Sequence, residues 1–105
     1  MFAVIYSFKV KPGLESTFER AWNEVTRLIK MHEGGLGAVL HKKCQQHYIA
    51  YMQWPDEDTW QLAGKNLPLT SNKIRKFMKD SCNSIETLFK LEVLDGVQGS
   101  FIQQH

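Results

Sequence analysis

Residues 2–10, FAVIYSFKV, restrict what this chain can become more than any other segment. Successive side chains of a strand point to opposite faces. Phe2, Val4, Tyr6, Phe8 and Val10 therefore share one face, while Ala3, Ile5 and Ser7 share the other, followed by Lys9. β-Branched and aromatic residues fit such a strand. A strand that is apolar on both sides must be covered twice. Lys11-Pro12-Gly13 then breaks the pattern and turns the chain.

The remaining elements supply the first cover. Residues 14–31 place Leu14, Phe18, Trp22, Val25 and Ile29 at three- and four-residue steps, with Ala21 and Leu28 in the same stripe. That spacing predicts an amphipathic helix. Glu15 and Glu19 lie early and Arg27 and Lys30 late, which suits the helix dipole. Glu33-Gly34-Gly35 reads as its end. Residues 36–43 and 47–54 predict two strands joined as a hairpin across Cys44-Gln45-Gln46. Trp54-Pro55-Asp56-Glu57-Asp58 reads as a strand end followed by a short acidic helix carrying Trp60. After the linker Leu67-Pro68-Leu69, Thr70 or Ser71 caps a third helix with Ile74, Phe77, Met78 and Cys82 along one side. Residues 84–94 predict the last strand, with Ile85, Thr87, Phe89, Leu91 and Val93 as its more apolar face.

This order predicts an α+β fold: a ferredoxin-like four-stranded antiparallel sheet with its helices on one face. The opposite face then lies bare, although the first strand is apolar on both sides and the third carries Tyr48, Ala50 and Met52 on one side with Ile49 and Tyr51 on the other. An exposed apolar sheet face is a liability. A homodimer through the sheet faces, forming a dimeric α/β barrel, is the expected remedy. The domain is expected over residues 1–95, with residues 96–105 as a C-terminal tail whose Val97, Phe101 and Ile102 read as packing residues on the dimer.

Composition narrows the function classes. With 43% hydrophobic and 23% charged residues, the chain reads as globular. A net charge of +2 is too small to favour nucleic acid, which calls for a concentrated basic stripe. The densest basic run, Lys65, Lys73, Arg75, Lys76 and Lys79, reads as a solvated helix face. No segment approaches the roughly 20 apolar residues of a membrane span. Met1 leads into the first strand with no basic leader, so the expected location is cytoplasmic, without membrane contact. Cys44 and Cys82 are expected as free thiols in a reducing compartment, a disulfide being the alternative. His41, Cys44 and His47 form an H-x2-C-x2-H run, but it lacks a fourth ligand and crosses a tight turn, so no metal is expected. The glycines of Glu33–Gly37 follow a helix and precede a strand, the wrong order for a phosphate loop.

Three segments, FAVIYSFKVKPG, HEGGLGAVLHKK and YIAYMQWPDEDTW, carry a family resemblance. Through them the chain resembles the antibiotic biosynthesis monooxygenase domain family, within the dimeric α/β-barrel group, over roughly residues 2–94. These motifs define fold more than chemistry. The resemblance implies a pocket between the sheet and the helices, suited to a flat aromatic ligand. Phe8, Trp22, Trp54 and Phe77 are its expected walls, with core packing as the competing reading of each ring. The family includes cofactor-independent oxygenases of aromatic polyketides and haem-degrading enzymes. In the former the substrate supplies the electrons. The protein must hold a base or a hydrogen-bond donor in an apolar cavity. Tyr51, Trp60, Tyr6 and His41 are the candidate catalytic residues, with no bound cofactor. The haem-degrading branch uses an asparagine on the first strand, a tryptophan after the third and a histidine further along. The corresponding positions here hold Tyr6 and Ala63, and residues 64–83 contain no histidine, so that chemistry is not expected. The expected function is a monooxygenase acting on a small aromatic or quinone-like compound. A non-catalytic dimeric module, binding a small ligand or serving in stress, is the alternative.

Overall fold

A computed structural model describes residues 1–94; the expected tail over residues 96–105 lies outside the described residues. Four strands, β1 (Phe2–Val10), β2 (Gly37–Cys44), β3 (His47–Trp54) and β4 (Cys82–Glu92), form one sheet in the order β2-β3-β1-β4. All three pairings are antiparallel. Helix α1 (Glu15–His32) joins β1 to β2. The short α2 (Glu57–Gln61), a 3-10 turn (Leu69–Ser71) and α3 (Asn72–Asp80) join β3 to β4. This is the ferredoxin-like α+β arrangement that the order of elements predicted.

β1 lies inside the sheet, which explains its two-sided apolar character. Eight of its residues pair with β3, from Phe2↔Trp54 to Lys9↔His47. Its other edge pairs with β4. Phe2, Val4, Phe8 and Val10 are buried under the helices. Ala3 is buried as well, and Ile5 and Ser7 are at least half-buried, on the opposite side. β3 alternates in the same way, with Tyr48, Ala50, Met52 and Trp54 buried on the helix side.

β4 departs from the sequence expectation. Its partners shift register between Ile5 and Tyr6, so Phe89 pairs with Ile5 and Thr87 with Tyr6, leaving Leu88 as the extra residue. A bulge of this kind reverses the alternation of the strand beyond it. Ile85 and Thr87 therefore share the helix side, whereas Phe89 and Leu91 turn to the open side. The expected single apolar face of β4 is two half-faces.

α1 presses Phe18 into the core. Phe18 is fully buried, with its ring 5.0 Å from Phe8 and 4.9 Å from Tyr48. The helix stops where Gly34 adopts φ 81°, the left-handed conformation that glycine accepts without penalty. Gly35 then passes so close to the sheet that a Cβ would lie 3.0 Å from Met52 Cε and 3.2 Å from Ile29 Cγ2. α3 is seated more lightly, and none of its residues is fully buried. Ile74 and Met78 turn inward, but Phe77, expected on the same side, is 48% exposed. In a nine-residue helix these positions splay widely, and Phe77 falls beyond the apolar stripe.

One buried polar contact ties α1 to the sheet: the Tyr48 hydroxyl donates to the Glu19 carboxylate. Burial, the carboxylate acceptor and the nearby negative charge push the Tyr48 phenol up to about 12. An unfolded tyrosine titrates near 10. The resulting stabilisation is full below pH of about 10 and is lost as pH rises towards the folded value. Urea titrations across the alkaline range are expected to show stability falling between pH about 10 and 12. Tyr48→Phe is expected to reduce that slope while lowering stability by about 1 kcal/mol at neutral pH.

Candidate functional site

The core divides into two clusters of buried residues. One holds Phe8, Val10, Phe18, Tyr48, Ala50 and Cys82. The other holds Phe2, Val4, Met52 and Trp54. Tyr6 packs against both. A cavity of about 210 Å³ lies at this seam. Its sheet wall is Tyr6, Phe8, Ala50, Met52, Trp54 and Ile85. Its helix wall is Trp22, Val25, Thr26 and Ile29 from α1, Met78 from α3, and Ala63 from the segment after α2. Ile85, 39% exposed, marks the rim. A wider depression of about 520 Å³ among Met1, Phe2, Pro55, Asp56, Glu57, Lys90 and Glu92 is open and charged, which suits solvent better than an apolar ring.

Polar groups at the apolar cavity are few and specific. The Trp60 indole N–H donates to the Tyr6 hydroxyl over 2.7 Å. α2 puts Trp60 in place. Asp56 caps that helix, accepting from the Thr59 N–H and hydroxyl at 2.7 Å each, so the helix starts directly after the Trp54-Pro55 strand end. The Trp60 ring sits 5.7 Å from Phe2, with Lys90 Nζ 5.6 Å from its centroid. Burial raises the Tyr6 pKa, and the Trp60 N–H partly offsets the rise. Tyr6 is therefore a neutral phenol at ordinary pH. Its oxygen accepts from Trp60, which leaves its own proton free to donate. At the wall formed by β3, the Trp54 indole N–H is buried without a hydrogen-bond partner. A buried unpaired donor is uncommon and costly. No Asp, Glu, His, Lys or Arg lines the cavity among the described residues.

The expected site residues are thus separated by the sheet. Tyr6, Phe8, Trp22 and Trp54 border the cavity, and Trp60 supports Tyr6. Tyr51 and His41 lie on the other face. Tyr51 pairs with Ile5 and Val39, and its hydroxyl accepts from Gln53 Nε2 at 2.9 Å. His41 pairs with Ile49 and is exposed. The open face also holds a Ser7 Oγ–His47 Nε2 hydrogen bond of 2.9 Å. Phe77 lies outside the cavity wall, on the exposed side of α3 with Lys73 Nζ 5.9 Å from its ring centroid.

Sequence reasoning missed several positions. Ala50 and Met52 share the strand parity of Trp54, so the alternation of β3 contained that signal. Glu33 had none. Its buried carboxylate accepts the Asn66 N–H at 2.9 Å and pins the loop that carries Ala63.

Fold and cavity together define a ferredoxin-like α+β domain with an apolar chamber under its helices. The sequence model for antibiotic biosynthesis monooxygenases matches residues 1–65, and the chain belongs to that family. Among solved structures, the chain is similar to SnoaB, a cofactor-independent oxygenase from Streptomyces nogalater, at 14% identity and a TM-score of 0.72, covering 93% of this chain and 97% of that one. It is similar to a candidate antibiotic biosynthesis monooxygenase from Bordetella bronchiseptica at 20% identity and a TM-score of 0.70, covering 89% and 96%. It is also similar to the protein NE2512 of unknown function from Nitrosomonas europaea at 17% identity and a TM-score of 0.68, covering 93% of each. At these identities the likeness is one of fold. No curated protein matches the sequence. No helix among the described residues is long and apolar enough to cross a membrane.

The Tyr6–Trp60 contact yields a direct test. Removing either partner strands the other in a part-buried setting, so Tyr6→Phe and Trp60→Phe are each expected to cost about 1–3 kcal/mol. The double substitution is expected to cost less than the sum by about 1 kcal/mol in denaturant unfolding.

Proposed function

We propose that this protein is a cofactor-independent monooxygenase acting on a small enolisable aromatic compound, of the phenol or hydroxyquinone kind. The observation that carries this reading is Tyr6, a lining residue of an apolar cavity whose hydroxyl accepts from Trp60 and keeps its own proton free to donate. A phenol donor in a low-dielectric chamber stabilises an enolate or phenolate oxygen more strongly than water does. With no base at the cavity wall among the described residues, the substrate is one acidic enough to have given its proton to water and to enter as its anion. Its anion then supplies the electrons. A ring carbon bearing two hydrogens becomes a carbonyl, one atom of O2 enters the product, and the other leaves as water with the two hydrogens. Family membership and the oxygenase named among the similar folds support this chemistry.

The same missing base supports a second reading, a module that binds such a ring without turnover. Oxygen uptake with hydroxylated naphthoquinones and their reduced forms separates the two. Substrate-dependent uptake is expected, reduced about a hundredfold by Tyr6→Phe. His41→Ala, on the far face, is expected to leave the rate within about twofold. Saturable binding with no uptake across such a panel decides for the binding module.

The open sheet face supports a homodimer. Phe89 is 57% and Leu91 43% exposed there, beside Ile5 and Tyr51. Burying such a face against a two-fold copy removes apolar surface from water. Sedimentation at micromolar concentration is expected to give a dimer, and Phe89→Asp a folded monomer. A wild-type monomer removes the assembly from this reading.

A further inference from the structure

We infer that Trp22 sets the size of the ring system the cavity accepts, limiting it to one ring or a fused pair. This deepens the proposed function and rests on it. The chamber of about 210 Å³ is small. Pockets for drug-sized ligands run from about 300 Å³ upwards, and a cavity of about 150 Å³ is enough for benzene.

Its two ends differ in kind. Tyr6 turns its hydroxyl to Trp60, which packs on the cluster built around Phe2 and Val4. The other end is lined by Phe8, Trp22 and Met78, which belong to or pack on the cluster around Phe18. A ligand with its oxygen at Tyr6 therefore extends its ring system towards these three side chains. Phe8 is fixed: it is 4% exposed, and its ring lies 6.1 Å from Tyr6 and 5.0 Å from Phe18. Met78 is an unbranched thioether that yields readily to a neighbour. Trp22 projects from α1, is only half-buried, and makes no ring-to-ring pair among the described residues. It is the largest side chain of the helix wall, so its size is the one that most limits the room for a third fused ring.

Calorimetric titration with lawsone, a two-ring hydroxyquinone, and with 2-hydroxy-1,4-anthraquinone, its three-ring counterpart, tests this, with alizarin as a second three-ring compound. Wild-type protein is expected to bind lawsone at least about tenfold more tightly than its three-ring counterpart. Trp22→Ala is expected to bring the ratio of the two dissociation constants to about one or to reverse it. Trp22→Phe, which keeps an aromatic ring on α1 and guards against a folding defect, is expected to fall between. A ratio that stays at its wild-type value in the folded variants overturns the role of Trp22, as does equal affinity of the wild-type protein for both compounds. Failure of lawsone to bind wild-type protein at all, with folding intact, overturns the proposed function instead.

Discussion

The two-sided burial of β1 is the constraint on which the structure depends. Its even-numbered residues close the core against α1, and its odd-numbered residues support the open face of the sheet. Because β1 pairs along both edges, its backbone polar groups are satisfied by β3 and β4. Side chains on both faces are then free to be apolar. A one-residue slip would exchange the two sets and move Tyr6 out from under the helices. The position of the central hydroxyl is therefore fixed by sheet register.

Tyr6 sits where the two halves of the core meet, and the electrostatics follow from that placement. Trp54, Met52 and the α1 side chains surround it with apolar groups, so its polar contact is less screened than one in water. Burial favours the neutral phenol, while the Trp60 N–H favours the oxygen as an acceptor. The result is a neutral phenol whose oxygen accepts from Trp60. The Trp54 indole N–H, also in this region, is buried without a partner.

Much of this was legible in the residues. β3 spans His47–Trp54, the range that its composition and bounding residues mark. α1 follows its apolar stripe, and the left-handed Gly34 ends it. What stayed hidden is tertiary. Nothing in SIETLFKLEVL announces the extra residue at Leu88, since the alternation of apolar positions continues through it. Both faces of β1 and β3 are apolar, so parity alone did not say which face the helices take. Tyr51 and His41 consequently stood beside Tyr6 as candidates, although the sheet separates them. The Tyr6–Trp60 bond joins residues 54 positions apart, and no local pattern specifies it. Phe77 failed because a short, lightly seated helix gives little phase information.

The irregularity at Leu88 also bears on how such a chain can diverge. Before it, β4 contributes Ile85 to the chamber; after it, the strand offers Phe89 and Leu91 to the outside. The lining of the chamber and the apolar surface of the open face are thereby written on separate stretches of one strand. Mutational drift in the later stretch can remodel the open face while the chamber keeps its shape. Drift in the earlier stretch can retune the chamber without disturbing that face. An inserted or deleted residue at this point is the exception, because it would exchange the two roles in a single genetic event.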